Sequence, residues 1–383
     1  MIARRTLLAS GIAAATGLLA PRLAFAAAPT ERRFVFIIQR GAADGLHIVP
    51  PLGDPGYAAL RGPFLDGLAN AHRIDATFSL HPALTRIAGM FDAKQALAVH
   101  AVASTYRDRS HFDGQNVLET GGKQAYAETI GWMNRLVAAL PQGDNRALAL
   151  APGIPMALRG PAPVTSYAPS RLQQPGGDLL GRVSALYADD PQLAGLWQAA
   201  LATKAMAGDE SAAGNGRGGA EIGKVAAQLL APADGARIMM IETEGWDTHS
   251  GQVGRLAAQL RNLDMLIGTL ADGLGPAWNQ TMVLVATEFG RTAAVNGTGG
   301  TDHGTASTAL LAGGALKPGG IVGDWPTLAE PRLFENRDLA PSLDMRALFK
   351  GVLRDHLGVA RAALDQQVFP ESASVRPVEG LIV

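Results

Sequence analysis

Six short apolar runs punctuate the chain, and amphipathic stretches separate them. Phe34–Gln39 (FVFIIQ) is a continuous apolar run that stops at Gly41, the pattern of a strand buried on both faces. Ala96–Ala101, Ala147–Ala151, Arg237–Glu242, Thr281–Ala286 and Thr308–Ala312 repeat that pattern. The spacing predicts a helix over 81–92, with Leu84, Ile87, Ala88 and Phe91 on one face, and another over 130–140, with Trp132, Leu136 and Leu140. From Gln252 to Leu270, residues Val253, Leu256, Leu260, Leu263, Ile267 and Leu270 form one apolar stripe. Ser342 is the expected N-cap of a last helix that runs to Leu357 and stops at Gly358. Strands alternating with helices of this length predict an α/β fold, a doubly wound and mostly parallel sheet with helices on both faces. Residues 206–220 (MAGDESAAGNGRGGA) are small, polar and rich in glycine. They are expected to form a flexible surface loop within a single domain spanning 27–383.

Composition narrows the classes. The chain has 383 residues, 47% apolar and 17% charged, enough to bury a core, so wholesale disorder is excluded. A net charge of −1 without any long basic run gives no electrostatic support for a nucleic-acid partner. Cysteine is absent, so a metal must be held by carboxylates, imidazoles, hydroxyls or carbonyls. The N-terminus reads as an export signal. Arg4-Arg5 precedes a mildly apolar stretch, Ala9–Ala20, and Ala24-Phe25-Ala26 is a cleavage site. The paired arginines point to the twin-arginine export machinery as a partner. The stretch is shorter than the ~20 residues of a membrane span, so residues 1–26 are expected to be removed and no span to remain. The expected location is the periplasm or the exterior.

Polar clusters follow the apolar runs, and ligands of open α/β sheets bind off the carboxyl ends of strands. Asp44, between Gly41 and Gly45, is a metal ligand or a turn aspartate. Ser110, flanked by Arg109 and His111, is a nucleophile, a helix N-cap, or both. Asp247 and His249, two residues apart, point the same way from extended backbone and suit a divalent cation, or else cap the next helix. Glu288 directly follows a buried run, where a carboxylate needs a cation: a metal, or Arg291 as an ion-pair partner. Asp302-His303 lies between glycines, in a ligand loop or a polar hairpin tip. Arg109 or Arg291 would hold anionic oxygens, and His111 or His249, if not bound to a metal, would protonate a leaving group. Trp246 is a candidate wall of a sugar site, whereas His81 and His100 read as packed or capping residues. No G-x-S-x-G, P-loop, dinucleotide or H-E-x-x-H motif is present.

The segments RGAADGL, RSHFDGQNVLETG, GWDTH, TEFGRT and GTDHG, spread over residues 40–304, resemble a bacterial family known as domain-of-unknown-function family 1501. That family resembles a distant branch of the alkaline phosphatase and sulfatase superfamily. The resemblance implies an alkaline-phosphatase-like sheet with one or two divalent ions (Zn, Mn, Ca or Mg) off its carboxyl edge. It implies Asp44 on one metal, Ser110 as nucleophile, and Asp247, His249 and His303 on the other. The superfamily's strand-end Asp-His pair is replaced here by Glu288-Phe289, with Asp302 as the available substitute, so the second metal is in question. The implied activity is an exported, metal-dependent hydrolysis of phosphate or sulfate esters. The alternative is a non-catalytic periplasmic protein that binds an anionic glycan or helps assemble one. Either reading requires distant carboxylates and imidazoles to converge on one cation-sized gap.

Overall fold

A computed structural model describes residues 31–141, 146–168, 177–207, 218–316 and 319–382. The expected signal segment and most of the expected loop, residues 208–217, lie outside the described residues. The rest of that segment ends the Pro191–Ala207 helix and opens the Gly219–Leu230 helix.

Among the described residues, nine strands make the main sheet: β1 (Arg33–Gln39), β2 (Ala96–Ala103), β3 (Ala147–Leu150), β4 (Val164–Tyr167), β5 (Ile238–Thr243), β6 (Thr281–Ala286), β7 (Ser307–Ala312), β8 (Gly320–Val322) and β9 (Leu343–Asp344). Their order is β8-β2-β7-β6-β1-β5-β3-β4, with β9 also paired to β2. Only β7 runs against its neighbours β2 and β6; the other pairings are parallel. Each of the six apolar runs read from the sequence lies in one of these strands. β4, β8 and β9 carry no such run, because they are short, incompletely buried edge pieces.

The helices that matter to the site are α1 (Thr85–Asp92), α2 (His111–Thr120), α3 (Trp132–Ala139), α4 (Gly219–Leu230), α5 (Gln252–Leu274) and α6 (Met345–Leu357). Alternation along β1 explains the layering. Phe34, Phe36 and Ile38 face α3 and α6, while Val35 and Ile37 face α1, α4 and α5. Trp132, wholly buried, packs among Phe34, Phe36, Phe349 and Phe369 at ring-centroid distances of 5.0–6.1 Å. One expected cap moves. The N-cap of α6 is Asp344, whose carboxylate accepts from Arg346 N, and Ser342 instead donates to the Asp324 carbonyl at 2.7 Å. Gly358 closes the helix in the left-handed conformation, as the sequence indicates. His100 is a satisfied core histidine, bonded to Val49 O at 2.7 Å and to Thr308 Oγ1 at 3.0 Å.

Candidate metal centre

Loops leaving β1, β5 and β6 meet at the carboxyl edge of the sheet. They meet closely because Gly41 has no side chain: a Cβ there would lie 2.6 Å from Asp247 N, and its φ of +117° suits glycine. The Gly41 N–H donates to Glu288 Oε1 at 2.9 Å, which ties the β1 turn to the end of β6. Past β6 the chain doubles back through an antiparallel bridge between Arg291 and His303. The bridge brings the Asp302-His303 loop over the same edge.

Asp247 is the hub. Its Oδ1 accepts from Arg291 Nη1 at 2.7 Å and lies 3.0 Å from His249 Nε2 and 3.3 Å from His303 Nε2. Its Oδ2 lies 3.5 Å from His111 Nε2. Burial pushes the Asp247 carboxyl up, but the Arg291 hydrogen bond and charge outweigh it and leave the group below the usual carboxylate range.

The three imidazoles share one feature. His303 Nδ1 lies 2.9 Å from the Arg109 carbonyl, His249 Nδ1 2.9 Å from Asp302 Oδ1, and His111 Nδ1 2.8 Å from Glu288 Oε1. A carbonyl only accepts. Glu288 and Asp302 are both held below the usual carboxylate range, so they too are acceptors. Each ring therefore donates from Nδ1, and a neutral ring then presents a lone pair at Nε2. All three Nε2 atoms face Asp247, and those of His249 and His303 are 3.0 Å apart. Two lone pairs at that distance repel unless a cation or a shared proton lies between them. Burial, its largest cause, holds the His303 pKa below the usual value, which favours the lone-pair form. His111 Nε2 is buried with no hydrogen-bond partner. One ligand atom each from His111, Asp247 and His303 fall within 4.8 Å of one another. Imidazoles fixed at Nδ1 by carboxylates and a carbonyl are the usual outer support of a metal site, so these residues fit a divalent cation.

The sequence expectations are partly rearranged. Asp247, His249, Asp302 and His303 converge, with Asp302 acting through His249. Glu288 is wholly buried, and its oxygens are taken up by Gly41 N, His111, Gln115 and Thr287, so it orients His111 instead of facing the gap. The ion pair considered between Glu288 and Arg291 does not form: Arg291 pairs with Asp247. His111, expected as a proton donor, stands in a ligand position. It stacks on Phe289 at 5.2 Å, so the phenylalanine that cannot ligate braces the imidazole that can. Asp44 is not brought into the cluster. It is fully buried against Arg61 and accepts from Gln252 Nε2 at 2.5 Å. Arg109, in a left-handed backbone conformation (φ 61°), gives its guanidinium to Asp338 and Glu335 and its carbonyl to His303. Arg291 keeps Nη2 buried without a hydrogen-bond partner. Ser110 is the N-cap residue of α2, but its side chain makes no capping bond; its backbone N–H donates to the Tyr106 hydroxyl at 3.1 Å.

Three contributors went unread in the sequence. Gln115 lies one turn beyond His111 on α2 and donates to Glu288 Oε1 at 3.1 Å; the i, i+4 spacing was the available signal. Gln252, at the start of α5, joins Asp44 to Thr248 and Thr301. Asp338, wholly buried, lies in an irregular segment without periodicity and carries no local signal.

Glu288→Gln is expected to lower the His111 pKa, because the Glu288 hydrogen bond is the main cause of its elevation. Proton NMR titration of the metal-free protein reads this directly. An unchanged His111 titration would mean that Glu288 does not orient the ring.

No described helix is long and apolar enough to cross a membrane. No curated protein sequence matches the chain. Among solved structures, the chain is similar to the zinc complex of the C-terminal periplasmic domain of EcEptC from Escherichia coli, at 9% identity over 74% of this chain and 73% of that one, TM-score 0.37. It is similar to alkaline phosphatase from the Antarctic bacterium TAB5, at 13% identity over 76% and 95%, TM-score 0.36. A third similar structure is the phosphonate monoester hydrolase SpPMH from Silicibacter pomeroyi, at 11% identity over 91% and 76%, TM-score 0.39. Likeness at this level does not carry an activity from those proteins to this one. The family assignment comes from the sequence itself: residues 31–369 match the family described as protein of unknown function (DUF1501), and the chain belongs to that family.

Proposed function

We propose that the protein is a metal-dependent hydrolase of phosphate or sulfate esters, with Ser110 as the nucleophile. The observation that carries this reading is the set of three imidazoles, each fixed at Nδ1, whose Nε2 atoms converge on Asp247. His111, Asp247 and His303, whose ligand atoms lie within 4.8 Å of one another, would hold one divalent cation, with His249 beside them, and an N/O donor set of this kind suits Zn²⁺ or Mn²⁺. A cation bound there supplies Lewis-acid polarisation of an ester oxygen and offsets charge on the group transferred.

The chain's own residues do the rest. Ser110 stands at the N-terminus of α2, where free N–H groups and the helix dipole favour a bound anion. The Tyr106 phenol positions Ser110: it accepts from the Ser110 N–H at 3.1 Å. The Tyr106 hydroxyl in turn donates to Asp113 Oδ2 at 3.3 Å, which fixes the phenol beside Ser110. Arg291, with Nη2 unspent, holds a non-bridging oxygen of the bound ester. Residues 1–26 direct twin-arginine export in this reading, and the enzyme works in the periplasm or outside the cell.

The test is elemental analysis of the exported protein, together with turnover of an aryl phosphate and aryl sulfate panel. The wild type is expected to carry a divalent ion that His303→Ala loses, and Ser110→Ala to lower kcat by on the order of 10³-fold or more. Full turnover in Ser110→Ala would remove serine as nucleophile, and a wild type that binds no divalent metal would end the hydrolase reading.

One observation favours a second reading. Arg109, an expected anion clamp, has its guanidinium committed to Asp338 and Glu335. With one clamp spent, the protein would bind an anionic glycan, or help assemble one, without cleaving it. Metal-dependent retention of a sulfated oligosaccharide without release of sulfate would establish that reading over the first.

A further inference from the structure

A cleft of about 560 Å³ opens at the carboxyl ends of β3 and β5, between α4 and α5. This volume falls in the range of small-molecule sites, about 300–1,000 Å³. We infer that the cleft seats the uncharged, hydroxyl-rich part of the substrate, a pyranose ring, while the ester group of the same molecule meets the metal centre; this rests on the hydrolase reading above.

The lining is two-sided. Ile222, Leu263 and Leu266 form an apolar wall. Glu244, Gln259 and Asn262 line the polar side, and none of the three side chains has a hydrogen bond or ion pair among the described residues. A pyranose ring has the same division, with C–H faces for an apolar wall and a hydroxyl edge that donates to carboxylates and both donates to and accepts from amides. Charge excludes the anionic part of the molecule. Among the described residues, no lysine, arginine or histidine lines the cleft, and two carboxylates do. The charge of the inner carboxylate, Glu242, is already met by Arg40 Nε at 2.9 Å, which leaves Glu244 as the cleft's unpaired carboxylate. Trp246 forms a fixed floor, 1% exposed and tied through Nε1 to Thr243 Oγ1 at 3.0 Å.

The cleft and the metal centre are parts of one structure. Trp246 of the cleft precedes Asp247 of the centre in sequence. Arg40 links Glu242 to Gln115 at 2.8 Å, Gln115 donates to Glu288 at 3.1 Å, and Glu288 holds His111 at 2.8 Å. A ring seated against Glu242 therefore lies at the end of a hydrogen-bonded chain that terminates on a ligand-position imidazole.

Saturation-transfer NMR with methyl pyranosides of glucose, galactose and N-acetylglucosamine, with ethanolamine as a cationic control, tests this. The wild type is expected to bind at least one pyranoside and not ethanolamine. His303→Ala should bind it equally, because His303 does not line the cleft. Ile222→Phe, which fills the cleft, and Asn262→Leu at its exposed rim should each weaken binding at least tenfold. Asn262→Leu keeps the test decisive if the larger side chain disturbs the fold. Binding of none of the sugars, binding of ethanolamine in their place, or equal sugar binding by both variants would overturn the proposal. Sugar binding by a protein that hydrolyses no ester would end the hydrolase reading and leave the cleft assignment standing; hydrolysis without sugar binding would do the reverse.

Discussion

Asp44→Ala is expected to lower stability by about 3–5 kcal/mol and to leave metal content per folded molecule unchanged. Asp44 and Arg61 are both buried, with side-chain exposures of 1% and 0%. Removing the carboxylate leaves a guanidinium in the interior with two carbonyl acceptors, Ala293 O at 2.9 Å and Thr292 O at 2.7 Å, and no counter-charge. Gln252 Nε2 loses its acceptor at the same time. Burial pushes the Asp44 carboxyl up, but Arg61 and the hydrogen bonds win and hold it ionised below the usual range. Urea denaturation gives the stability, and elemental analysis of the folded fraction gives the metal. A variant of wild-type stability that had lost its metal would show that Asp44 is a ligand and that the Arg61 pair is incidental.

Stability is also expected to fall steeply as pH drops from about 6.5 to about 4, a fall that begins well above the range where carboxylates titrate. Four of the eight histidines are buried outside the metal centre: His47, His81, His100 and His356. Burial is the main cause of depression in each, and it brings His47 to about 3 and the other three to about 4. The folded-state values lie below the unfolded value of about 6.5, so in this window the unfolded chain binds more protons than the folded one. Stability therefore rises with pH through the window and is flat above it, as far as these groups are concerned. Each proton contributes about 1.4 kcal/mol per pH unit, so the four together give a slope of about 5 kcal/mol per pH unit near pH 5. His111 acts in the opposite sense, because its pKa is raised by Glu288 and its contribution is lost as pH rises. Urea midpoints at pH 7, 6 and 5 measure the slope, and His100→Gln should remove about one quarter of it. Equal midpoints at pH 7 and pH 5 would contradict the burial argument.

Much of the centre was legible because strand-end position is a local property. An apolar run followed by a polar cluster announces the carboxyl edge of a sheet, and Asp247, His249, Asp302 and His303 were found that way. Asp44 satisfied the same rule and was placed differently. Its partner, Arg61, ends a short helix 17 residues later, and no sequence pattern says that this guanidinium folds back under the β1 turn. His111 was legible as chemistry but not as geometry. Its position depends on Glu288 and Phe289, which are contributed by a strand four places further along the chain.

By itself the sequence determined the layered α/β class, the six principal strands, the family and the edge of the sheet where chemistry gathers. These follow from periodicity and from residue type next to a strand end, and both act over a few residues. The tertiary structure alone decided which carboxylates face the gap and which stand behind an imidazole, that Arg109 and Arg291 are paired, and that a cleft opens beside Trp246. Those outcomes are set by distances between residues far apart in the chain, where burial and charge pairing compete, and a buried carboxylate goes to the nearest cation that the fold supplies.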